Sequence, residues 1–193
     1  MTTIQQPPEI RIVEVTDGDT VKVSRGEETI SIRLACEDAP ELDQPEGPAS
    51  RARLQQLLPV GSQVTVNVLE VDRFGRSVAI LHNSTGLDVN FQMVLEGQAL
   101  VYPGYLENCD RSLYLSAEVA ARAAGLGVWG SPDFTPPWQY RRNRRCDPSY
   151  PDICIAPASP QLSCRDIEYR DFRVTGADRH RFDGNKNGIG CET

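Results

Sequence analysis

The chain has 193 residues, 39% of them hydrophobic, with 20 basic and 27 acidic side chains and a net charge of −7. That composition supports a folded medium domain with an appendage and excludes a chain disordered in bulk. No apolar run approaches the roughly 20 residues that span a bilayer, and the polar N-terminus, Met1 to Pro8, does not read as a signal peptide.

In chain order, three strands are predicted over residues 9–16, 19–25 and 28–36. Val13, Val15, Val21 and Val23 recur at period two, and Ile30, Ile32 and Leu34 line one face while Ser31 and Arg33 line the other. Within "DGDT" (17–20), Asp17-Gly18 reads as a tight turn, but a turn has no need of the second acid, Asp19. An acidic, proline-bounded loop, "EDAPELDQPEGP", leads to a helix over 49–58 with Ala49, Ala52, Leu54, Leu57 and Leu58 on its apolar face. Strands over 62–72 and 76–83 flank the short tip "DRFGR" (72–76). Helices follow over 88–97, capped by Asp88 and stopped by Gly97, and over 111–127, ended by Gly125 and Gly127. The expected fold is α+β: a five-stranded antiparallel meander with a helix inserted after its third strand, curled into an OB-type barrel with three helices.

Composition shifts after Trp129. Seven of the fourteen prolines lie between Pro132 and Pro160, so this stretch is expected to lack regular structure, with 141–160 a Pro/Arg-rich linker and 161–193 a compact closing segment. Residues 1–140 carry a net charge of −9 and residues 141–193 a net of +2, and 18 of the 20 basic residues are arginine. Cys146, Cys154, Cys164 and Cys191 fall in the last quarter. With no C-x-x-C and no ligand spacing at His82 or His180, disulfides are favoured over zinc, and with them an oxidising compartment. The sequence does not choose among the connectivities.

Several polar residues exceed what the strands require: Asp19, Arg33, Asp38, Glu41, and the tip arginines Arg73 and Arg76. If the strands pair in sequence order, they meet at one side of the barrel. Carboxylates hold a hard cation such as calcium, one carboxylate can orient or deprotonate a water, and guanidinium groups stabilise charge growing on phosphoryl oxygens. Taken singly, each piece has an ordinary reading as a turn, a solvated arginine or a loop. Their order and spacing carry the functional one.

"DGDT" on a strand, then "IRLACEDAPE", then "DRFGR" resembles the thermonuclease family, the staphylococcal-nuclease-like fold, across residues 9–140. The resemblance implies a nuclease domain over 8–140 that cleaves DNA and RNA with calcium and acts as a monomer. It assigns Asp19, Asp38 and the backbone carbonyl of Ala39 to the metal, Glu41 to the water as general base, and Arg33 and Arg76 to the phosphate. Ala39 stands where the family often has Thr, and Phe74 where it often has Tyr. Tyr102 and Tyr105 lie near the usual base-stacking tyrosines, in a register altered by Pro103-Gly104. The acidity of residues 1–140 belongs partly to the site itself, and "RRNRR" (141–145) offers a local basic patch.

The tail "FDGNKNGIGCE" (182–192) resembles the excalibur domain, a short extracellular calcium-binding module. That resemblance implies Asp183, Asn185, Asn187 and Glu192 as ligands, with lower affinity because two aspartates are replaced by asparagine, and pairs Cys191 with Cys164. Cys146–Cys154 and Cys36–Cys109 stay open. "DRH" (178–180) resembles a histidine-metal nuclease tripeptide, a reading that needs the histidine as base and a downstream asparagine on a metal and that so short a remaining stretch disfavours, and "NST" (83–85) matches a glycosylation acceptor. Two other classes compete: a non-catalytic OB module that binds nucleic acid, and a calcium-dependent cell-surface module. The expected location is secreted, periplasmic or at the cell surface, with any leader outside this sequence.

Overall fold

Alternating β-branched residues build the first three strands, β1 (Ile10–Val15), β2 (Thr20–Arg25) and β3 (Glu28–Leu34), which pair antiparallel. The computed structural model describes residues 9–102, 104, 106–155 and 161–193. Ile12, Val15, Val21, Val23, Ile32 and Leu34 are buried, each contributing about 1.5–3 kcal/mol of hydrophobic stabilisation. A two-residue strand, β4 (Glu37–Asp38), and helix α1 (Gly47–Leu57) follow. Next come the hairpin β5 (Thr65–Val71) and β6 (Ser77–His82), helix α2 (Val89–Leu95), β7 (Leu100–Val101), which pairs with β4, and helix α3 (Arg111–Ala123).

The main sheet runs β1-β2-β3-β6-β5 and is not the expected meander in sequence order. β6 lies parallel to β3, with Arg33 opposite Val78. Burial explains the order. Val78, Ala79 and Leu81 of β6 are buried, whereas β5 exposes Val68 and Val71, so the more apolar strand takes the interior position and β5 the edge. The edge strands β1 and β5 share no ladder. A single bridge, Arg11 to Gln63, and a bond from the Ile12 N–H to the Ser62 carbonyl tie β1 to the residues before β5. The sheet is therefore not a closed barrel.

On α1, Leu54 and Leu57 are buried, as is Leu58 just beyond it, but Ala49 and Ala52 are exposed and Ser50 takes the buried position against Gly18. Asp88 caps α2, accepting the Phe91 N–H at 3.0 Å. After α2, Gly97 adopts a φ of +66°, and a Cβ there would meet the Leu126 carbonyl oxygen at 2.2 Å.

The chain divides into two compact units, Met1–Pro137 and Trp138–Thr193. Helix α4 (Pro137–Arg145) occupies sequence expected to be irregular. Proline opens a helix at no cost, because the first N–H groups have no intrahelical partner, and Gln and Arg then favour the helical backbone. In the second unit, Tyr150, Ile153, Ile155, Phe172 and Phe182 form a core beside the small hairpin of β8 (Phe172–Arg173) and β9 (Ile189–Gly190). His180 belongs to this core: it is buried, stacks on Phe182, and its Nδ1 accepts the Leu162 N–H at 3.1 Å. Asn83 of the glycosylation triplet makes a turn, its Oδ1 accepting the Thr85 N–H at 3.0 Å.

All six cysteines are paired, as Cys36–Cys109, Cys146–Cys154 and Cys164–Cys191. Three disulfides point to an extracytoplasmic location. Among the described residues no helix is long and apolar enough to cross a membrane.

Candidate active site

The "DGDT" segment turns without a left-handed glycine. Gly18 has no positive φ, and Asp17 shapes the turn by accepting the Asp19 N–H at 3.0 Å. Glycine is required for room: a Cβ at Gly18 would lie 2.1 Å from Ser50 Oγ and 2.6 Å from Ala39 Cβ. This close approach presses the turn onto the Ala39 loop and α1. Asp19 then points inward, its Oδ2 accepting the Ala39 N–H at 2.9 Å and its Oδ1 the Thr20 hydroxyl at 3.0 Å.

Arg33 projects from the non-core face of β3. Its Nη1 lies 2.5 Å from Asp19 Oδ1 and its Nη2 2.5 Å from Asp38 Oδ1. The two aspartate side chains are 4% and 2% exposed and the Arg33 side chain 20%. Beside them lies Glu37, which no motif of the sequence singles out: it is 2% exposed, and neither carboxylate oxygen has a hydrogen-bond partner. Burial pushes the Asp19 carboxyl up to about 7, against the pull of Arg33. Burial, reinforced by the charge of Asp19, lifts Glu37 well above its ordinary 4.5. Burial opposes the Arg33 charge, but Asp19, Asp38 and Glu37 outweigh it and hold the guanidinium more firmly protonated than in water.

Glu41 follows three residues after Asp38 and is half-buried. Its loop is pinned by Gln44, whose Oε1 accepts the Glu41 N–H at 2.9 Å while Nε2 donates to the Thr135 carbonyl at 2.8 Å, 91 residues away. Fully buried Asn90 braces the chain just ahead of Glu37. It donates to the carbonyls of Ala35 at 3.1 Å and Ala79 at 2.9 Å and accepts the Leu81 N–H at 3.0 Å. No local pattern announces Gln44 or Asn90, because the Thr135 and Ala35 carbonyls they reach are remote in sequence.

Arg76 is engaged elsewhere. Its Nε donates to Asp72 Oδ2 at 2.8 Å across the β5–β6 tip, although it directly precedes Ser77, which pairs with Ile32 of β3. The exposed Phe74 ring lies under the guanidinium groups of Arg73 and Arg76, at 4.8 and 5.6 Å. Tyr102 is half-buried, its N–H donating to the Cys36 carbonyl at 3.4 Å; Tyr105 lies outside the described residues.

Asp19, Asp38 and the Ala39 carbonyl would offer oxygen donors of the kind a hard cation takes, and Glu37 is buried beside the aspartates with no hydrogen-bond partner for either carboxylate oxygen. Among the described residues, however, no three His, Cys, Asp or Glu side chains are grouped to hold a metal ion. Arg33 sits between the two aspartates instead. In the second unit the tail residues share one loop. Asp183 accepts the N–H groups of Asn187 at 3.1 Å and Gly188 at 2.8 Å, and Glu192 accepts the side-chain amides of Asn185 and Asn187 at 2.7 Å each.

A mixed five-stranded sheet, with α1 crossing between β4 and the β5–β6 hairpin and an acid–arginine cluster where β2, β3 and β4 meet, is the arrangement of a nuclease fold. The chain matches the family described as staphylococcal nuclease homologue over residues 31–131 and belongs to that family. It is 37% identical over 139 residues to the micrococcal nuclease of Shigella flexneri, covering 68% of this chain and 79% of that protein. It is also 37% identical over 134 residues to an uncharacterized endonuclease of Escherichia coli O157:H7, covering 69% and 85%. To an uncharacterized endonuclease of Haemophilus influenzae it is 31% identical over 153 residues, covering 79% and 83%. At the level of the family, the chain is a hydrolase acting on nucleic acid.

Proposed function

We propose that this chain is a calcium-dependent nuclease that hydrolyses the phosphodiester bonds of DNA and RNA. The observation that carries the reading is half-buried Arg33 held between two buried aspartates, the second of them three residues ahead of Glu41. Asp19, Asp38 and the Ala39 carbonyl are the groups that would hold calcium, which when bound supplies positive charge to a phosphoryl oxygen. Arg33 releases at least one aspartate and turns its Nη groups toward the phosphate, where they stabilise charge developing on the equatorial oxygens. Glu41 orients a water and takes its proton as that water attacks phosphorus, the ester P–O bond on the opposite side breaks, and the departing sugar oxygen takes up a proton from solvent. Arg76 leaves Asp72 and adds a second guanidinium.

In this reading the nuclease domain, an OB-type fold over residues 8–140, is followed by residues 141–160, which begin on α4 and pack Tyr150, Ile153 and Ile155 into the core of the second unit. An excalibur-type segment, 161–193, takes a second calcium ion through Asp183, Asn185, Asn187 and Glu192. The protein works outside the cytoplasm as a monomer, and its three disulfides support that setting. Incubation of the purified chain with supercoiled plasmid and with RNA tests the reading. Degradation of both in millimolar calcium and none in excess chelator is expected. Intact nucleic acid under both conditions refutes it.

A further inference from the structure

Electrostatically, the nuclease unit is a poor match for its proposed polymer. Residues 1–140 hold 10 basic and 19 acidic side chains, a net of −9, whereas residues 141–193 hold 10 and 8. A polyanion of many phosphates is repelled by the first segment as a whole, even where one phosphate is welcomed at the site. Affinity for a long strand therefore needs cations elsewhere, and the densest group in the chain lies on α4. Its nine residues, "PWQYRRNRR", include arginine at 141, 142, 144 and 145 and no acid at all.

That composition is costly for a helix standing alone. Arginines at 141 and 144, and at 141 and 145, are three and four positions apart, a spacing at which like charges repel. The helix dipole offsets part of this near the C-terminus but does not call for four cations in five residues. Arg142 and Asn143 are exposed, Trp138, Tyr140 and Arg141 half-buried, so one side of α4 packs while another meets solvent. Elsewhere in the same unit the exposed cations Arg165, Arg170, Arg179, Arg181 and Lys186 are matched by the exposed acids Asp152, Asp166, Glu168, Asp171 and Glu192, so α4 is where positive charge is unbalanced. Arginine suits this role because its planar fork pairs with two phosphate oxygens at once. Contacts to phosphate fix a strand without reading its sequence.

We infer that α4 is a phosphate-binding surface that holds the backbone of a long nucleic acid strand during hydrolysis, so that this enzyme grips polymers more tightly than short fragments. The inference rests on nucleic acid being the substrate, and its first test does not depend on cleavage. The full chain is titrated into a fluorescent 40-nucleotide single-stranded DNA in chelator, and anisotropy is followed at several salt concentrations. A variant with Arg141, Arg142, Arg144 and Arg145 all changed to Gln is compared with one in which all four become Lys.

The Gln variant is expected to bind at least tenfold more weakly. Its slope of log K against log salt should be shallower by about 2–3, since each phosphate that a cation neutralises on a single strand adds about 0.7 to the slope. The Lys variant should recover most of both. In calcium, the Gln variant should raise KM on long DNA at unchanged kcat and leave dinucleotide cleavage as in the parent. Equal binding and equal salt slope for parent and Gln variant would overturn the inference. So would loss of dinucleotide cleavage by a Gln variant whose thermal melt matches the parent, because the arginines would then belong to the hydrolytic site. Salt-dependent binding without cleavage of any substrate would uphold this surface and refute the nuclease reading alone.

Discussion

Replacing Glu37 by leucine should stabilise the protein. Glu37 is 2% exposed, and neither of its carboxylate oxygens has a hydrogen-bond partner. A buried polar group without a hydrogen bond costs about 1–3 kcal/mol even when uncharged, and leucine is close to it in volume. At pH 5, where the folded protein keeps Glu37 protonated, the variant should gain ~1–3 kcal/mol, or about 2–4 °C in Tm per kcal/mol for a chain of this size. The pH dependence gives a sharper signature. Burial raises the folded-state pKa well above the unfolded 4.5, so the folded state binds the extra proton. The stability Glu37 contributes by holding that proton is complete below pH 4.5 and is lost as pH rises toward the folded value. Over that window the parent loses about 1.4 kcal/mol per pH unit through this group, and Glu37→Leu does not. Urea unfolding of both proteins at pH 5, 6, 7 and 8 in chelator measures the difference, which should grow with pH. A destabilised variant, or a gap that stays constant across that range, would refute the reasoning.

Gly18→Ala should cost about 1–3 kcal/mol and slow cleavage, because the new Cβ is driven into Ser50 Oγ at 2.1 Å and Ala39 Cβ at 2.6 Å; denaturant midpoints and initial rates check both, and Ser50→Gly in the same chain should recover part of the loss. Asn90→Leu removes three buried hydrogen bonds to Ala35, Ala79 and Leu81 and should destabilise by about 3 kcal/mol, read by urea unfolding. Changing Cys36 and Cys109 together to alanine opens a cross-link spanning 73 residues and should cost about 4 kcal/mol, measured against the parent under non-reducing conditions.

Much of this molecule is legible in its sequence, and the losses share a cause. Period-two runs reveal the five long strands, of which β1, β2, β3 and β6 bury residues while β5 stays half-buried to exposed at the edge, and Asp88 announces α2 through a bond only three residues long. The acids and Arg33 of the site are visible because their order along β2, β3 and β4 is local. Strand order is not local: β6 displaces β5 from the side of β3 because of the burial each finds in the finished sheet. Gly18 is legible as a special residue but for a different reason, since its role is clearance from Ser50 and Ala39 and not a left-handed turn. Arg76 reads as a phosphate ligand in the sequence, which gives no sign that Asp72, in its own hairpin, pairs with its guanidinium. Gln44 and Asn90 look ordinary because what they bind lies up to 91 residues away. Glu37 is hidden among the acids of its loop, where only burial sets it apart.

Under the proposed function Glu41, on the loop pinned by Gln44, serves hydrolysis by the cluster of Asp19, Asp38 and Arg33. Single-turnover cleavage of a defined oligonucleotide by Glu41→Gln in saturating calcium tests it most directly. The expected rate is at least ~100-fold below the parent, with an unchanged thermal melt and unchanged oligonucleotide binding. A Glu41→Gln protein that cleaves at the parent rate would contradict it.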